Sequence, residues 1–282
     1  MKRVLTIQDI SCIGRCSLTV ALPVLSVMGL ETAVLPTALL STHTAFEGVY
    51  KKDMTESIDP IFHHWNSQKI SFDSIACGYL GSVEQMDIVR QYFSLWKGKA
   101  LLLIDPVMGD QGKLYAGFDE NYRRNMRIFC QSADVLLPNL TEMAYLLGVD
   151  YRSLPKDREG YEQLARELSR INNGIVVIKG ISLTRTMIAV LAYHARTGEI
   201  VFCEREKLAV EPFGTGDIFA AVCQGALTKG MELKRAVELA MDFVLECIKR
   251  TMDDPKRRWY GVNFEEALPF LIASENDSAY YI

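Results

Sequence analysis

The residues with the most chemistry to offer stand in one short run, Phe213-Gly214-Thr215-Gly216-Asp217, which leads directly into the apolar stretch Ile218-Phe219-Ala220-Ala221-Val222. Glycines at the start of a helix let backbone amides approach a ligand closely, and the unpaired N–H groups there attract anions. Asp217, in the first turn, is within reach of whatever those amides bind. The run can therefore hold developing negative charge while a carboxylate removes a proton from a hydroxyl. A plainer role for Asp217 is to complement the helix dipole. A second run, Asp105-Pro106-Val107-Met108-Gly109-Asp110, puts two carboxylates in one loop. That pattern suits a hydrated magnesium ion shared with phosphate oxygens, or simply a turn rich in Pro and Gly. Pro138-Asn139-Leu140-Thr141-Glu142 also has two readings: a ligand loop, or helix punctuation with Asn139 as N-cap and Glu142 at the third helical position.

Two familiar phosphate loops are excluded. No GxxxxGK[ST] occurs, so the P-loop lysine is missing, and Gly214-Thr215-Gly216 lacks the third glycine of a dinucleotide fingerprint. The cysteines (Cys12, Cys16, Cys77, Cys130, Cys203, Cys223 and Cys247) contain no CxxC pair and lie mostly in apolar runs, which argues against a disulfide framework or structural zinc. His63 and His64 are adjacent, so on a helix they point to different faces and make a poor ligand pair. A net charge of −4 gives no electrostatic reason to expect nucleic acid, and Lys256-Arg257-Arg258 reads as a solvated loop. No apolar run approaches the roughly 18 residues of a membrane span, and Val4–Ile7 is too short for a secretory segment. A soluble, cytoplasmic chain is expected.

The elements that must position these loops alternate. Strands are expected at Arg3–Ile7, Thr32–Leu35, Ser74–Cys77, Leu101–Ile104, Val135–Leu137, Ile175–Ile178, Met187–Tyr193, Ile200–Cys203 and Leu208–Val210. Helices are expected at Ser17–Met28, Ser57–Trp65, Glu84–Trp96, Glu120–Gln131, Thr141–Leu147, Arg158–Ile171, Gly216–Thr228 and Leu233–Arg250, with Ser17 as an N-cap and Pro23 as a source of kinking. Continuously apolar strands between amphipathic helices imply a mainly parallel sheet covered on both faces. The last three strands leave no room for helices and predict an antiparallel edge. One α/β domain spanning residues 1–282 follows, with a polar tail from Ser274. Ligands of such sheets sit at the carboxyl ends of the strands. Here those ends carry Gln8-Asp9, Pro36–His43, Gly78-Tyr79, Asp105–Asp110, Pro138–Glu142, Lys179-Gly180 and Glu211–Asp217.

Read together and in order, Ser41-Thr42-His43-Thr44, Cys77-Gly78-Tyr79-Leu80-Gly81-Ser82, Asp105–Asp110, Pro138–Glu142 and Phe213–Asp217 resemble the ribokinase-like superfamily, most closely its pyridoxal/pyridoxamine (vitamin B6) kinases. The resemblance covers nearly the whole chain and implies a three-layer α/β/α fold. It also implies ATP-dependent phosphorylation of the 5′-hydroxymethyl group of a B6 vitamer. By motif, Asp217 resembles the general base and Gly214, Thr215 and Gly216 the amide cradle for the transferring phosphoryl group. Asp105, Asp110, Asn139 and Glu142 fall on the magnesium–phosphate side, with Asp105, Asp110 and Glu142 as the implied metal set. Lys179 and Gly180 match nucleotide-contacting positions. Asp9, Ser11, His43 and Tyr79 match the pocket for the pyridine ring, and Met108–Tyr115 is implied as a mobile cover that excludes water. The family further implies Mg2+, a monovalent cation such as K+, and a homodimer, although the apolar stripe of Ser17–Met28 reads more simply as monomer core.

The chain departs from the family at Asp9-Ile10, where many relatives place Ser-His. An ionised Asp9 only accepts hydrogen bonds, from the ring hydroxyl or from the aminomethyl cation of pyridoxamine, so a preference for pyridoxamine over pyridoxal is expected. The nearest rival is a hydroxymethylpyrimidine kinase of thiamine synthesis. Its relatives carry Gly-x-Gly in the first loop, whereas Ser11–Ser17 has only Gly14. A B6- or nucleotide-binding protein without catalysis is the alternative from another class.

Overall fold

A computed structural model describes residues 1–210 and 213–278, with side chains to residue 274. Residues 211–212 of the loop expected ahead of the glycine run, and residues 279–282 of the expected tail, lie outside the described residues. Among the described residues the strands are β1 (Arg3–Ser11), β2 (Glu31–Leu40), β3 (Lys51–Asp53), β4 (Ser74–Cys77), β5 (Leu101–Ile104), β6 (Gly109–Asp110), β7 (Lys113–Leu114), β8 (Val135–Leu136), β9 (Ile175–Ile181), β10 (Met187–His194) and β11 (Ile200–Glu206). The helices are α1 (Leu18–Val27), α2 (Thr55–Ser67), α3 (Val83–Trp96), α4 (Glu120–Cys130), α5 (Leu140–Leu147), α6 (Arg158–Asn172), α7 (Thr215–Thr228), α8 (Leu233–Asp253) and α9 (Phe264–Ser278). No described helix is long and apolar enough to cross a membrane.

The main sheet runs β11-β10-β9-β8-β5-β4-β1-β2-β3. Its centre is parallel, as expected, and both edges are antiparallel: β10 and β11 at one side, β3 against β2 at the other. Alternation along the strands separates two apolar cores. Leu5, Ile7, Leu102, Ile104, Val176 and Ile178 face α2–α6, where they meet Phe62, Phe93 and Phe129. Val4, Leu103 and Val177 face α1, α7, α8 and α9, against Val24, Phe219, Phe243 and Leu271. The α1 stripe of Leu18, Val20, Ala21, Val24 and Leu25 is therefore buried inside the chain.

Four local expectations change. Leu208–Val210 is not a strand, because β11 already closes its edge and the chain must leave it to reach α7. A helix not expected from the sequence, α9, begins at Phe264 and runs into the tail expected from Ser274; Ala267 and Leu271 bury one of its faces, and Pro269 sits inside it. Lys51–Asp53 and the β6–β7 hairpin are added. Gln111 and Gly112 turn that hairpin with φ of 50° and 77°, the left-handed pair of a two-residue hairpin turn. α1 contains Pro23 and begins at Leu18, but the hydroxyl of Ser17 does not cap it.

Crossing from β1 to β2 on one side and to β4 on the other opens a crevice above the carboxyl ends of β1 and β4, the topological switch point of the sheet. Gln85, fully buried on α3, stiffens one wall. Its Nε2 donates to Thr37 O at 2.9 Å and to Thr55 Oγ1 at 2.9 Å, while its Oε1 accepts from Gly81 N at 2.7 Å. One side chain thus ties β2, α2 and the loop that carries Tyr79. Gln85→Leu removes the partners of Gly81 N and Thr55 Oγ1, while Thr37 O keeps the N–H of Met54. A loss of about 2–4 kcal/mol is expected, read as a lower urea midpoint with an unchanged slope.

Candidate active site

Several chain segments converge on the crevice. From β1 comes Asp9, beside a register irregularity between Gln8 and Ile10 where β2 runs one residue longer. Such irregularities re-aim side chains next to sites. Asp9 is buried. Its Oδ2 accepts from Ser11 Oγ at 3.0 Å and its Oδ1 from Ser17 Oγ at 2.6 Å. Burial raises its pKa, and the two hydroxyls pull it back. Asp9, Ser11 and Ser17 thus form one cluster, so an incoming ammonium would share oxygens that already accept.

From α7 comes Asp217. Gly214 is the N-cap with φ +84°, and a Cβ there would sit 1.9 Å from the carbonyl oxygen of Arg15, so both conformation and space require glycine. With no capping side chain, the first amides of α7 face the crevice beside the half-buried Asp217. Desolvation lifts the Asp217 pKa to about 7. The backbone N–H of Ser17 and the charge of Lys179 oppose that rise, and Asp9 and Asp105 reinforce it. Asp217 and Asp105 line a cavity of about 20 Å³ with Gln8, Cys77, Gly78 and Gln224. Gly78 is small because a Cβ would lie 2.7 Å from Gln8 Oε1.

The segments expected to face phosphate are built around an ion pair, Lys179 Nζ to Asp105 Oδ2 at 2.7 Å. Burial alone would discharge Lys179, but Asp105 and Glu142 outweigh it and raise its pKa, which keeps it an ammonium. Glu142 completes a capping box: Asn139 Oδ1 accepts from Glu142 N at 2.9 Å, and Glu142 Oε2 accepts from Asn139 N at 2.8 Å. Glu142 Oε1 accepts from Met108 N at 3.4 Å, and Asn139 Nδ2 donates to Gly109 O at 2.9 Å. The helix-punctuation reading of Pro138–Glu142 therefore holds, and the same residues fasten the Asp105–Asp110 loop to α5. Burial first, then Asp105, pushes the Glu142 pKa well up.

Asp110 stands apart: it is exposed on β6 and accepts from Gln111 N. Among the described residues no three His, Cys, Asp or Glu side chains group to hold a metal. Asp105, Asp110 and Glu142 do not form a cage, and these donors fit only a magnesium ion held mainly by phosphate and water. Segment Met108–Tyr115 is the β6–β7 hairpin, bonded to α5 through Gly112 N to Thr141 Oγ1 and Tyr145 Oη to Gly112 O. Gly180 is exposed at φ +82°, one residue beyond Lys179.

His43 and Tyr79 are the residues expected to line a ring pocket, but both ring nitrogens of His43 are engaged. Nδ1 accepts from Ala45 N at 3.1 Å and Nε2 pairs with Tyr260 O at 3.1 Å, the pattern of a neutral imidazole donating from Nε2. Burial lowers its pKa accordingly. With its nitrogens engaged, His43 has only ring surface left, and the residue is buried at 7% exposure. Around it stand Phe46 and Phe213, each with its ring centre 5.0 Å away, and Trp259 at 5.8 Å. Lys51 Nζ donates to Tyr79 Oη at 2.9 Å, and its charge reaches Asp9. Sequence reasoning missed Lys51, Phe46, Trp259 and Tyr260. β3 is too short for a periodicity signal, and Trp259-Tyr260 follows the basic run read as plain loop.

The phosphomethylpyrimidine kinase family matches residues 25–258 of the chain. Among solved structures, pyridoxal kinase from Lactobacillus plantarum is 32% identical with a TM-score of 0.89, and the alignment covers 98% of this chain and 99% of that one. The chain belongs to the pyridoxal kinase family. A Bacteroides thetaiotaomicron protein crystallised with pyridoxal is 34% identical with a TM-score of 0.91, covering 96% and 95% of the two chains. Pyridoxal kinase from Leishmania donovani, solved with ADP and pyridoxamine, shares the ribokinase-like fold at 23% identity and a TM-score of 0.86, covering 96% of each chain.

In this pyridoxal kinase scaffold Gly214 and Gly216 make different demands, since a Cβ at Gly216 meets nothing within 4 Å. Gly214→Ala is expected to cost at least about 2 kcal/mol and most activity through strain and collision. Gly216→Ala should keep its melting temperature within a few degrees of wild type, measured side by side.

Proposed function

We propose that the protein is an ATP-dependent kinase of B6 vitamers that transfers the γ-phosphoryl group to the 5′-hydroxymethyl oxygen. The observation that carries this reading is a carboxylate with a pKa near 7, placed at the open N-terminus of α7 and at the switch point of the sheet. As the alcohol oxygen forms its bond to phosphorus, Asp217 takes the alcohol proton, and the bond to the bridging oxygen breaks with its electron pair leaving on ADP. Phosphoryl transfer asks chiefly for alignment and charge neutralisation. The amides of Gly214, Thr215 and Gly216 meet the equatorial oxygens, and Lys179, held charged by Asp105, adds a fixed cation on the nucleotide side. Magnesium, arriving with ATP, would neutralise phosphate charge, with Asp105 and Glu142 oriented toward its hydration shell and Asp110 nearer solvent. Asn139 and Gly180 belong to the nucleotide side, and a monovalent cation completes the set that the resemblance implies.

On the ring side, the His43 surface and the Tyr79 ring give two apolar faces for a planar heterocycle, with Asp9 and Ser11 at its polar edge. Names of relatives support this reading: pyridoxal kinases at high coverage, and in the Leishmania enzyme ADP bound together with pyridoxamine. The reading includes a cytoplasmic homodimer, supported by the resemblance and, for compartment, by unpaired thiols at all seven cysteines.

Vitamer-dependent ADP release tests the proposal, with hydroxymethylpyrimidine as the competing acceptor. Pyridoxal, pyridoxamine or pyridoxine should be turned over at least tenfold better in kcat/KM than the pyrimidine; the reverse order assigns the chain to thiamine synthesis. A base must be ionised to work, so kcat/KM should rise with pH through about 7 and level off above it. Asp217→Asn should remove at least about 10²–10⁴ of the rate. It should also raise the melting temperature at pH 8, where the carboxyl is ionised in both states but burial penalises the charge only in the folded one. Asp9→Asn should weaken pyridoxamine turnover more than pyridoxal turnover; equal losses remove the vitamer preference.

A further inference from the structure

Large aromatic side chains seldom stand half in solvent unless something else covers them. Two do so beside the start of α7. Phe213 is 46% exposed immediately ahead of Gly214, the N-cap of that helix, and Trp259 is 57% exposed in the loop of residues 254–263 between α8 and α9. Their ring centres are 6.1 Å apart and their planes meet at 80°, which makes an open corner. Behind the corner lies His43, whose ring centre is 5.0 Å from that of Phe213 and 5.8 Å from that of Trp259. Phe46 packs with its centre 4.5 Å from that of Trp259. His43 is itself buried, with Ala45 N on Nδ1 and Tyr260 O on Nε2. It holds the corner up, and the solvent-facing surface belongs to Phe213 and Trp259.

We propose that Trp259 is a specificity-determining residue for the acceptor: a planar, electron-poor heterocycle stacks on its indole, and the Phe213 ring meets that heterocycle at its edge. The proposal rests on the reading of the chain as a kinase of B6 vitamers, and it assigns the acceptor face to the loop between α8 and α9. Among aromatic side chains, indole gives the best face for a ring that carries positive charge, as a pyridinium does. Offset stacking and edge-to-face contact are the preferred geometries, and two rings near a right angle offer one of each. The corner is also fixed relative to the proposed base. Phe213 stands four residues before Asp217. The Arg15 carbonyl oxygen would lie 1.9 Å from a Cβ on Gly214, and Arg15 Cβ would lie 2.5 Å from a Cβ on Gly261. Arg15 is thus pressed between the start of α7 and the loop that carries Trp259. Asn263 closes the base of that loop: its N donates to Thr251 Oγ1 at 2.7 Å and its Nδ2 to Asp254 Oδ2 at 2.9 Å. Trp259 therefore sits on an anchored segment although its ring is open to solvent.

Turnover and binding of pyridoxine test the proposal separately. For Trp259→Ala the KM of pyridoxine should rise about fivefold to tenfold, the loss of one aromatic pair. Its kcat and its KM for ATP should stay within about twofold of wild type, as when an interaction shared by ground and transition states is removed. Trp259→Phe keeps an aromatic face and should hold the pyridoxine KM within about threefold of wild type. Without ATP, pyridoxine should quench the tryptophan fluorescence of the wild type. Most of that quench should vanish in Trp259→Phe, because Trp65 and Trp96 pack against Phe72 in the opposite core. A folded Trp259→Ala with a wild-type pyridoxine KM overturns the proposal, as does a Trp259→Phe that is quenched like wild type. A Trp259→Ala that changes only its oligomeric state in sedimentation gives the exposed ring to a second copy of the chain, and that also overturns it. If Trp259→Ala fails to fold, the quench in Trp259→Phe decides. Wild-type turnover of pyridoxine with no change in the variants sinks this proposal alone, whereas a wild type that neither binds nor phosphorylates any vitamer removes the kinase reading beneath it.

Discussion

Most of the site answers to one constraint: a carboxylate must be kept away from water at the start of α7 and still be ready to accept a proton. Desolvation does the first, lifting Asp217 from the range of an ordinary aspartate to about 7. A single backbone N–H and a lysine charge temper it, so the group titrates near neutrality and is not locked in its acid form. The close contact between Gly214 and the Arg15 carbonyl joins the helix start to the loop after β1 and leaves no room for a side chain. A water-filled gap at that seam would return Asp217 to the solvent and to a weaker base.

The remaining acids avoid competing with it because each is committed elsewhere. Asp105 is paired to Lys179, Glu142 accepts backbone N–H groups from Asn139 and Met108, and Asp9 accepts from two serine hydroxyls. Three buried carboxyls in one crevice would repel one another strongly if left bare. Hydrogen bonds and the buried ammonium make the arrangement tolerable, and the same bonds fix loop geometry. Glu142 serves helix α5, the loop after β5 and the charge of Lys179 at once. The β6–β7 hairpin is likewise held by side chains of α5, which anchor it at its turn.

Periodicity located the regular core well, because continuously apolar strands and amphipathic helices carry their burial in their spacing. Eight of the nine expected strands and all eight expected helices occur, but β1, β2, β9 and β11 run past their expected ends, so Gln8-Asp9, Pro36–Leu40 and Lys179-Gly180 lie within strands rather than after them. What escaped has a common cause. β3 has three exposed residues, and the β6–β7 hairpin has two residues in each strand, so neither can show a period. α9 hides behind Pro269 and its acids, and only its packing against α8 reveals its apolar face. Leu208–Val210 is apolar enough for a strand but has no strand to pair with.

By itself the order of residues determined the family, the alternating α/β architecture, and the chemical types at the strand ends, Asp217 and its glycines above all, since those depend on local motif and spacing. Tertiary structure alone decided which polar atoms remain available. Asp9 is occupied by Ser11 and Ser17, His43 has both nitrogens bonded to backbone, and Asp110 is separated from Asp105 and Glu142. It also brought in Lys51, Phe46, Trp259 and Tyr260 from distant or irregular segments. The physical reason is that burial and hydrogen bonding are relations between atoms far apart in the chain, and these relations set a carboxyl's pKa and a ring's free face; no residue carries them in its own identity.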